Sequence, residues 1–372
     1  MNVLLISNYL PYTTSVLLKR GFEQAGHRVM AITPDVAPHD WIHCALNAAV
    51  SDLIGACPHP PDLLLFVESG AYPAFFPRQL LDSPIPTAMW AIDNHINYRW
   101  HKAISGGFDF TFLAQNDFAV RATKEMQSIV NWLPLAADYD WHAAPAEENR
   151  RRRRDVVFVG HLDRERSRFF DTLRAEIPSV DVVSGVYGPE VGQLYAEAKI
   201  GLNIALRNDL NMRFFEVLAA GALLVTENIA AGMRELLTEG EHYVTYDRPT
   251  AARTITKWLA NDLARRAIAE RGRAACLAAH LYRHRAQTIV SVIASQSGDF
   301  RARRRDKTRT ARLFWEIAAV LRARPFDRAA DAAEWVAAGR CRAGKLRALP
   351  AYGKYLKRHL VSYLRKRRRH GS

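Results

Sequence analysis

The chain has 372 residues, too many for one ordinary core and enough for two domains, and its 49% hydrophobic content excludes a mainly disordered polymer. Its formal net charge of +14 sits at the end: residues 301–372 hold 22 Lys/Arg against 5 Asp/Glu, leaving 30 basic and 33 acidic residues in the first 300, so the body is not built as a nucleic-acid binder. Cys44, Cys57, Cys276 and Cys341 form no CxxC pair, which excludes a zinc ribbon or disulfide frame and fits a cytoplasmic protein; no apolar run approaches the ~18 residues of a membrane span, and MNVLLISNYL reads as a buried strand, not a secretory leader.

In chain order, Val3–Ser7 is expected as a strand, Ser15–Ala25 as a helix stopped by Gly26, and His27–Thr33 as a second strand. Further apolar strands are expected at Asp62–Glu68, Thr87–Ile92 and Asp109–Ala114. Continuous apolar strands separated by helices indicate a parallel sheet covered on both faces, here a Rossmann-like unit over residues 1–140 without the GxGxxG dinucleotide fingerprint. Asn8 and Tyr9 follow the first strand; Asp93 and His95, in AMWAIDNHINYRW, follow another and so fall at the carboxyl edge of the sheet. A lone DxH reads equally as a turn with a capping Asp.

The polar, Pro-containing stretch DYDWHAAPAEENRRRRR is expected to hold an inter-domain linker, residues 141–154, with Arg150–Arg154 as a solvated face. Its DYD at Asp138–Asp140 is only a formal match to a metal-holding DxD, and no other His/Cys/Asp grouping has ligand spacing, so no metal is expected. A second α/β unit spans 155–295: strand Asp155–His161, a helix from Arg164, strands in VDVVSG, KIGLNIAL, ALLVTE and HYVTYD, and helices from Thr250 to about Ser295. Within it a helix Met212–Ala220, closed by Gly221, starts near Asn211 and presents free N–H groups and the positive end of its dipole, a setting for a diphosphate. Arg213 in that first turn opposes the dipole unless an anion is bound there. Glu216, in an otherwise buried stretch, needs partners: either a sugar's paired hydroxyls or Arg213 in an i,i+3 bridge.

RFFEVLAAGALLVTEN, with FVGH before it and GEHYVTYD after it, resembles the C-terminal domain of GT-B glycosyltransferases, most of all the spore-maturation-protein-like branch with its R-x-F-E-x-x-A-x-G-x-x-x-x-T core. AERGRAACLAAHLYRHRAQTIV, carrying His280, Tyr282 and Arg285, is similar to the helix that ends this domain in the same branch. The resemblance implies an α/β GT-B fold, two Rossmann-like domains facing a cleft, and transfer of a sugar from a nucleoside-diphosphate donor, without another cofactor, to a glycan, lipid-linked or protein acceptor in bacterial envelope or surface-glycan synthesis. It implies that Glu216, the second glutamate of a Glu-x7-Glu pattern, grips ribose; Asn208, with Asp209 beside it, stands where the first glutamate belongs. Arg213 would face the diphosphate, with Gly160, His161 and Arg166 close to the same group. Glu227 and Asn228 would line the base or sugar pocket, and Asp93 or His95 would take the acceptor proton.

Residues 296–372 are expected as a basic helical extension, with helices at Arg312–Arg322, Ala329–Ala338 and Tyr352–Arg365, the last amphipathic and basic. Such a helix suits an anionic membrane surface on the inner face of the cell membrane; packing of its apolar stripe on the protein is the other reading, and nucleic acid is disfavoured. A competing function is a transferase-like shell that binds without catalysing, its tail engaging anionic lipid or RNA, for which Asn208 speaks.

Overall fold

The computed structural model describes residues 1–45, 48–68, 79–144 and 151–296. Two wholly parallel sheets organise them. The first has seven strands, β1 Asn2–Ile6, β2 Arg28–Thr33, β3 Trp41–His43, β4 Leu63–Val67, β5 Thr87–Ala91, β6 Phe110–Leu113 and β7 Ile129–Trp132, in the spatial order β3-β2-β1-β4-β5-β6-β7. The second has five, β8 Arg154–Val159, β9 Val180–Val183, β10 Ala198–Asn203, β11 Leu223–Glu227 and β12 Val244–Tyr246, in the order β12-β11-β10-β8-β9. LLLFV in β4 and TAMWA in β5 are buried at every position, because helices cover both faces and no side chain of a central strand meets water. The five strands anticipated in the first unit form. The edge strands β3 and β7 are additional; β3 has only three residues, and β7, IVNW, is half-buried throughout and carries no continuous apolar run.

The strand orders reverse between β1 and β4 in the first sheet and between β8 and β10 in the second. In open parallel sheets the connections on either side of such a reversal leave to opposite faces, opening a crevice beyond the strands' carboxyl ends. Ser7 and Glu68 follow β1 and β4, and Gly160 and Ile204 follow β8 and β10. The two domains meet across these ends: Gln115 of the first accepts from the Leu210 N–H of the second at 2.7 Å, and Trp132 packs where a Cβ on Gly232 would lie, 2.4 Å from its ring.

The stretch read as a linker is partly built into the fold, and of the arginines read as a solvated face, Arg152 and Arg154 are half-buried and bonded while Arg151 and Arg153 are exposed. Asp138 is fully buried, caps the short helix Tyr139–His142 by accepting from Trp141 N, and is held by Arg20 Nε at 3.0 Å. Arg152 donates to the carbonyls of Ala196, Ala198 and Gly221, and Arg154 begins β8 and pairs with Asp181 at 2.6 Å. The segment 145–150 and the expected helices of the basic extension lie outside the described residues.

The last helix, Tyr282–Ser295, leaves the second domain and returns to the first. Its Tyr282, Ala286, Ile289 and Ile293 share one core with Leu17, Leu18 and Phe22 of the helix Thr14–Gln24. Backbones touch there, since a Cβ on Gly21 would stand 2.5 Å from the Tyr282 carbonyl carbon. Arg285, 5% exposed, donates to the carbonyls of Pro134, Leu135 and Ala279. Truncation leaves those carbonyls buried and unpaired, each at about 1–3 kcal/mol. Arg285→Ala is therefore expected to cost about 2–5 kcal/mol of stability, read as a lower denaturant midpoint; an unchanged midpoint would show the carbonyls are satisfied without it.

Candidate active site

The helix Met212–Ala219 begins at the crevice of the second domain. Asn211 is its N-cap, its side chain accepting from Phe214 N at 3.3 Å, as a short polar side chain at that position should. Arg213 does not reach back along the helix to Glu216, so the i,i+3 bridge does not form. Its guanidinium instead donates to Val159 O at 2.7 Å, Asn203 Oδ1 at 3.1 Å and Ile204 O at 3.2 Å, and lies 4.4 Å from the Phe158 ring centre. Gly160 is glycine for want of space: a Cβ there would stand 2.3 Å from Arg213 Nη2. Arg166, nine-tenths buried, donates to His161 O at 3.1 Å and Ile204 O at 3.0 Å. Burial first, then the neighbouring Arg213 charge, lowers its pKa. Gly160, His161, Arg166 and Arg213 thus converge on the carboxyl ends of β8 and β10. Two guanidiniums are fixed there by carbonyls, and among the described residues no carboxylate pairs with either, an arrangement that lacks an anion.

Glu216, one turn deeper, is 8% exposed. Burial pushes its carboxyl up to about 7, against the pull of Arg213. His142 Nε2 stands 3.7 Å from its Oε1. Asp138 N donates to His142 Nδ1 at 3.0 Å, so the ring proton sits on Nε2, facing the carboxyl. Burial drops the His142 pKa to about 3, and the imidazole is neutral at any working pH. No described residue makes a direct hydrogen bond to the Glu216 carboxyl, which is free to accept two from a ligand. His142 lies in the supposed linker and carried no sequence signal.

A cavity of about 560 Å³ adjoins this cluster at the ends of β10, β11 and β12, with Arg166, Asn208, Glu227 and Arg248 in its wall. Glu227 holds its mouth, accepting from Ala205 N at 2.9 Å and pairing with Arg248 at 2.7 Å. Arg207 and Asn208 have φ of +51° and +65°, left-handed values that cost a non-glycine residue about 1–3 kcal/mol and persist where surroundings impose them. Here Asn208 Oδ1 accepts from Ala230 N at 3.0 Å and Asp209 accepts from Leu206 N. Beside the cluster's other flank, Ser184 donates to Gly160 O. The loop it opens carries Tyr187, whose exposed ring lies parallel to that of Tyr12 of the first domain, centres 6.4 Å apart and planes within 2°.

Across the cleft, Asp93 precedes the helix Asn94–Ser105 at its N-cap position, yet its side chain makes no capping bond. The capping-turn reading therefore fails. Burial first, then the charges of Glu68 and Asp209, pushes its carboxyl up to about 7. His95 stands by: burial lowers its pKa although Asp209 and Glu68 pull the other way, and its Nδ1 is buried without a partner among the described residues. Asp209, from the loop that carries Asn208, acts on both, so Asp93 and His95 face the second domain. Glu68 was missed by sequence reasoning. The only available signal was a carboxylate closing a wholly apolar strand, LLLFVE. Among the described residues no group of three or more His, Cys, Asp or Glu could hold a metal ion.

Comparison with known proteins places these features in a wider set. Residues 142–291 match the family model described as Glycosyl transferase-like. No curated protein matches the chain at a significant level. Among solved structures, the chain is similar to HepE of Anabaena in complex with UDP-glucose (TM-score 0.57, 12% identity, covering 80% of this chain and 100% of that one). It is also similar to the sucrose-phosphate synthase of Thermosynechococcus elongatus (0.55, 13%, 79% and 98%), and to WaaG, a glycosyltransferase involved in lipopolysaccharide biosynthesis (0.51, 13%, 80% and 100%). At these identities the likeness is one of fold, and that fold is GT-B.

Proposed function

We propose, for a chain whose second domain is glycosyl transferase-like and whose fold is GT-B, that it moves a sugar from a nucleoside-diphosphate donor to an acceptor hydroxyl. The observation that carries this reading is the pairing of Arg213 and Arg166, neither paired with a carboxylate among the described residues, with the buried, unbonded carboxyl of Glu216, on the same short helix as Arg213. Arg213 and Arg166, with the helix N-terminus and the Gly160–His161 backbone, bind the diphosphate; Glu216 accepts from the ribose hydroxyls. The base then extends toward the 184–188 loop, where Tyr187 offers an aromatic face, and the sugar points to the cavity walled by Asn208 and Glu227. Asp93, with His95 beside it, takes the acceptor proton. The acceptor oxygen bonds to the anomeric carbon, the bond from that carbon to phosphate breaks, and the electron pair leaves on the diphosphate, where fixed positive charge stabilises it.

HepE binds UDP-glucose, which makes uridine donors the first to try, and the WaaG likeness favours an envelope or surface-glycan acceptor. The +17 tail, residues 301–372, suits the anionic face of a membrane; no described helix is long and apolar enough to cross one. The test is a panel of sugar nucleotides scored for melting temperature. A donor at 100 times its Kd stabilises the folded state by about 2.7 kcal/mol and is expected to raise Tm by several degrees. If none of the panel shifts Tm, the reading is lost. A second reading, binding without turnover, draws on Asn208, which stands where the pattern's first glutamate belongs and whose side chain is engaged with Ala230 N; a Tm shift with no product formed would select it.

A further inference from the structure

We propose that Glu68 is the positioning residue of the acceptor-side base: it holds the Ile92 and Asp93 main-chain N–H groups from behind and sets a second, buried carboxylate beside the Asp93 side chain. This rests on the reading of Asp93 as that base.

Glu68 follows β4 at the reversal point of the first sheet and is 2% exposed. Its Oε2 accepts from the main-chain N–H groups of Ile92 at 2.5 Å and Asp93 at 3.0 Å, its Oε1 from Asn97 Nδ2 at 2.9 Å, and His101 Nε2 lies 3.0 Å from Oε2. Those two main-chain N–H groups lie just before the helix Asn94–Ser105, so Glu68 holds the backbone of the N-cap residue Asp93 from behind. The Asp93 side chain itself makes no capping bond.

Holding the Asp93 backbone in this way sets two carboxyls side by side, the arrangement in which like charge raises the proton affinity of one of them. The environment decides which. Burial opposes the charge on Glu68, but His101, Asn97 and the Asp93 amide outweigh it, and Glu68 stays below the usual carboxylate range. Asp93 has no such donors. The titratable and charged groups around it are Glu68 at the end of β4, His95 and His101 on its own helix, and Asp209 and Arg207 from the opposite domain. Asn94 Nδ2 meets His101 Nδ1 at 3.1 Å, and Asn94 Oδ1 accepts from the N–H of Gln115. The pair is thereby held from the same residue that grips Leu210, next to Asp209.

The test replaces Glu68 by glutamine, which keeps an acceptor for the two N–H groups and removes the charge. Carbon-detected NMR follows the Asp93 carboxyl in the full chain, and the pH dependence of kcat/KM is measured in parallel. The expected result is an Asp93 that titrates near 7 in the wild type and about one pH unit or more lower in Glu68→Gln, with the acid limb of the rate profile moving by the same amount. An Asp93 titration unmoved by Glu68→Gln, or a wild-type value near 4, overturns the proposal. If Glu68→Gln does not fold because His101 is left facing a neutral partner, the double variant Glu68→Gln/His101→Gln carries the same prediction, and the wild-type titration stands by itself. A carboxyl that shifts while the rate profile does not would support the role of Glu68 and remove Asp93 from the chemistry, so the two ideas fail separately.

Discussion

Asp93→Asn is expected to lower kcat by about two to four orders of magnitude, the range a positioned general base contributes, while donor affinity stays within a few-fold. The asymmetry follows from geometry: Asp93 lies on the first domain and touches none of the groups that face the donor. The wild-type profile should rise with pH through about 7, where burial together with Glu68 and Asp209 places the Asp93 carboxyl, because a base must be ionised to accept a proton. In the variant that limb disappears. Stability is expected to hold or improve at pH 8, since the side chain makes no capping bond and its charge is opposed by two neighbouring carboxylates. A variant with wild-type kcat and an unaltered pH profile would move the base elsewhere, with His95 next in line.

Glu216→Gln acts on the other half of the reaction and should abolish donor-induced stabilisation. An amide cannot accept on both atoms, so one ribose hydroxyl loses its partner in a buried site. Two pH effects accompany the loss. In the free protein the folded-state pKa of about 7 lies above the ordinary 4.5. A carboxyl raised in this way lowers stability progressively as pH climbs from about 4.5 to 7, by about 3 kcal/mol in total. The wild type should lose that increment as pH rises from about 4.5 to 7, and the glutamine variant should show no such loss. Donor binding favours the ionised form, so wild-type Kd should fall as pH rises through 7, with proton release on binding. Unchanged donor affinity in Glu216→Gln would end the ribose assignment.

Much of the fold was legible because buried parallel strands write themselves as apolar runs: VLLIS, DLLLFVE and TAMWAI could hardly be anything else. Edge strands escape this logic. Trp41–His43 is too short to show a pattern, and Ile129–Trp132 has an asparagine in the middle and no fully buried position. Arg213 and Glu216 stood out for a related reason, since both are out of keeping with the helix that carries them. Asp93 and His95 could be placed at a strand end but not assigned a state. Their environment is made by Glu68, 25 residues away from Asp93 in sequence, and Asp209, from another domain. No local pattern encodes such a meeting. His142 shows the opposite failure: a polar, Pro-broken stretch reads as a connector, yet its imidazole ends up buried against Glu216.

The closing helix has one more consequence, and it concerns how the polypeptide is made. Leu17, Leu18 and Phe22 share their core with Tyr282, Ala286, Ile289 and Ile293 of a helix made some 150 residues after the first sheet is complete. A ribosome that has released the first 140 residues has released every strand of the first sheet but not its last covering helix. Domains generally mature in the order of synthesis, but here the first must wait for the second to finish. The nascent first domain leaves that side of its core open through some 150 residues of further elongation, at ~5–20 residues per second, until the last described helix, Tyr282–Ser295, covers it.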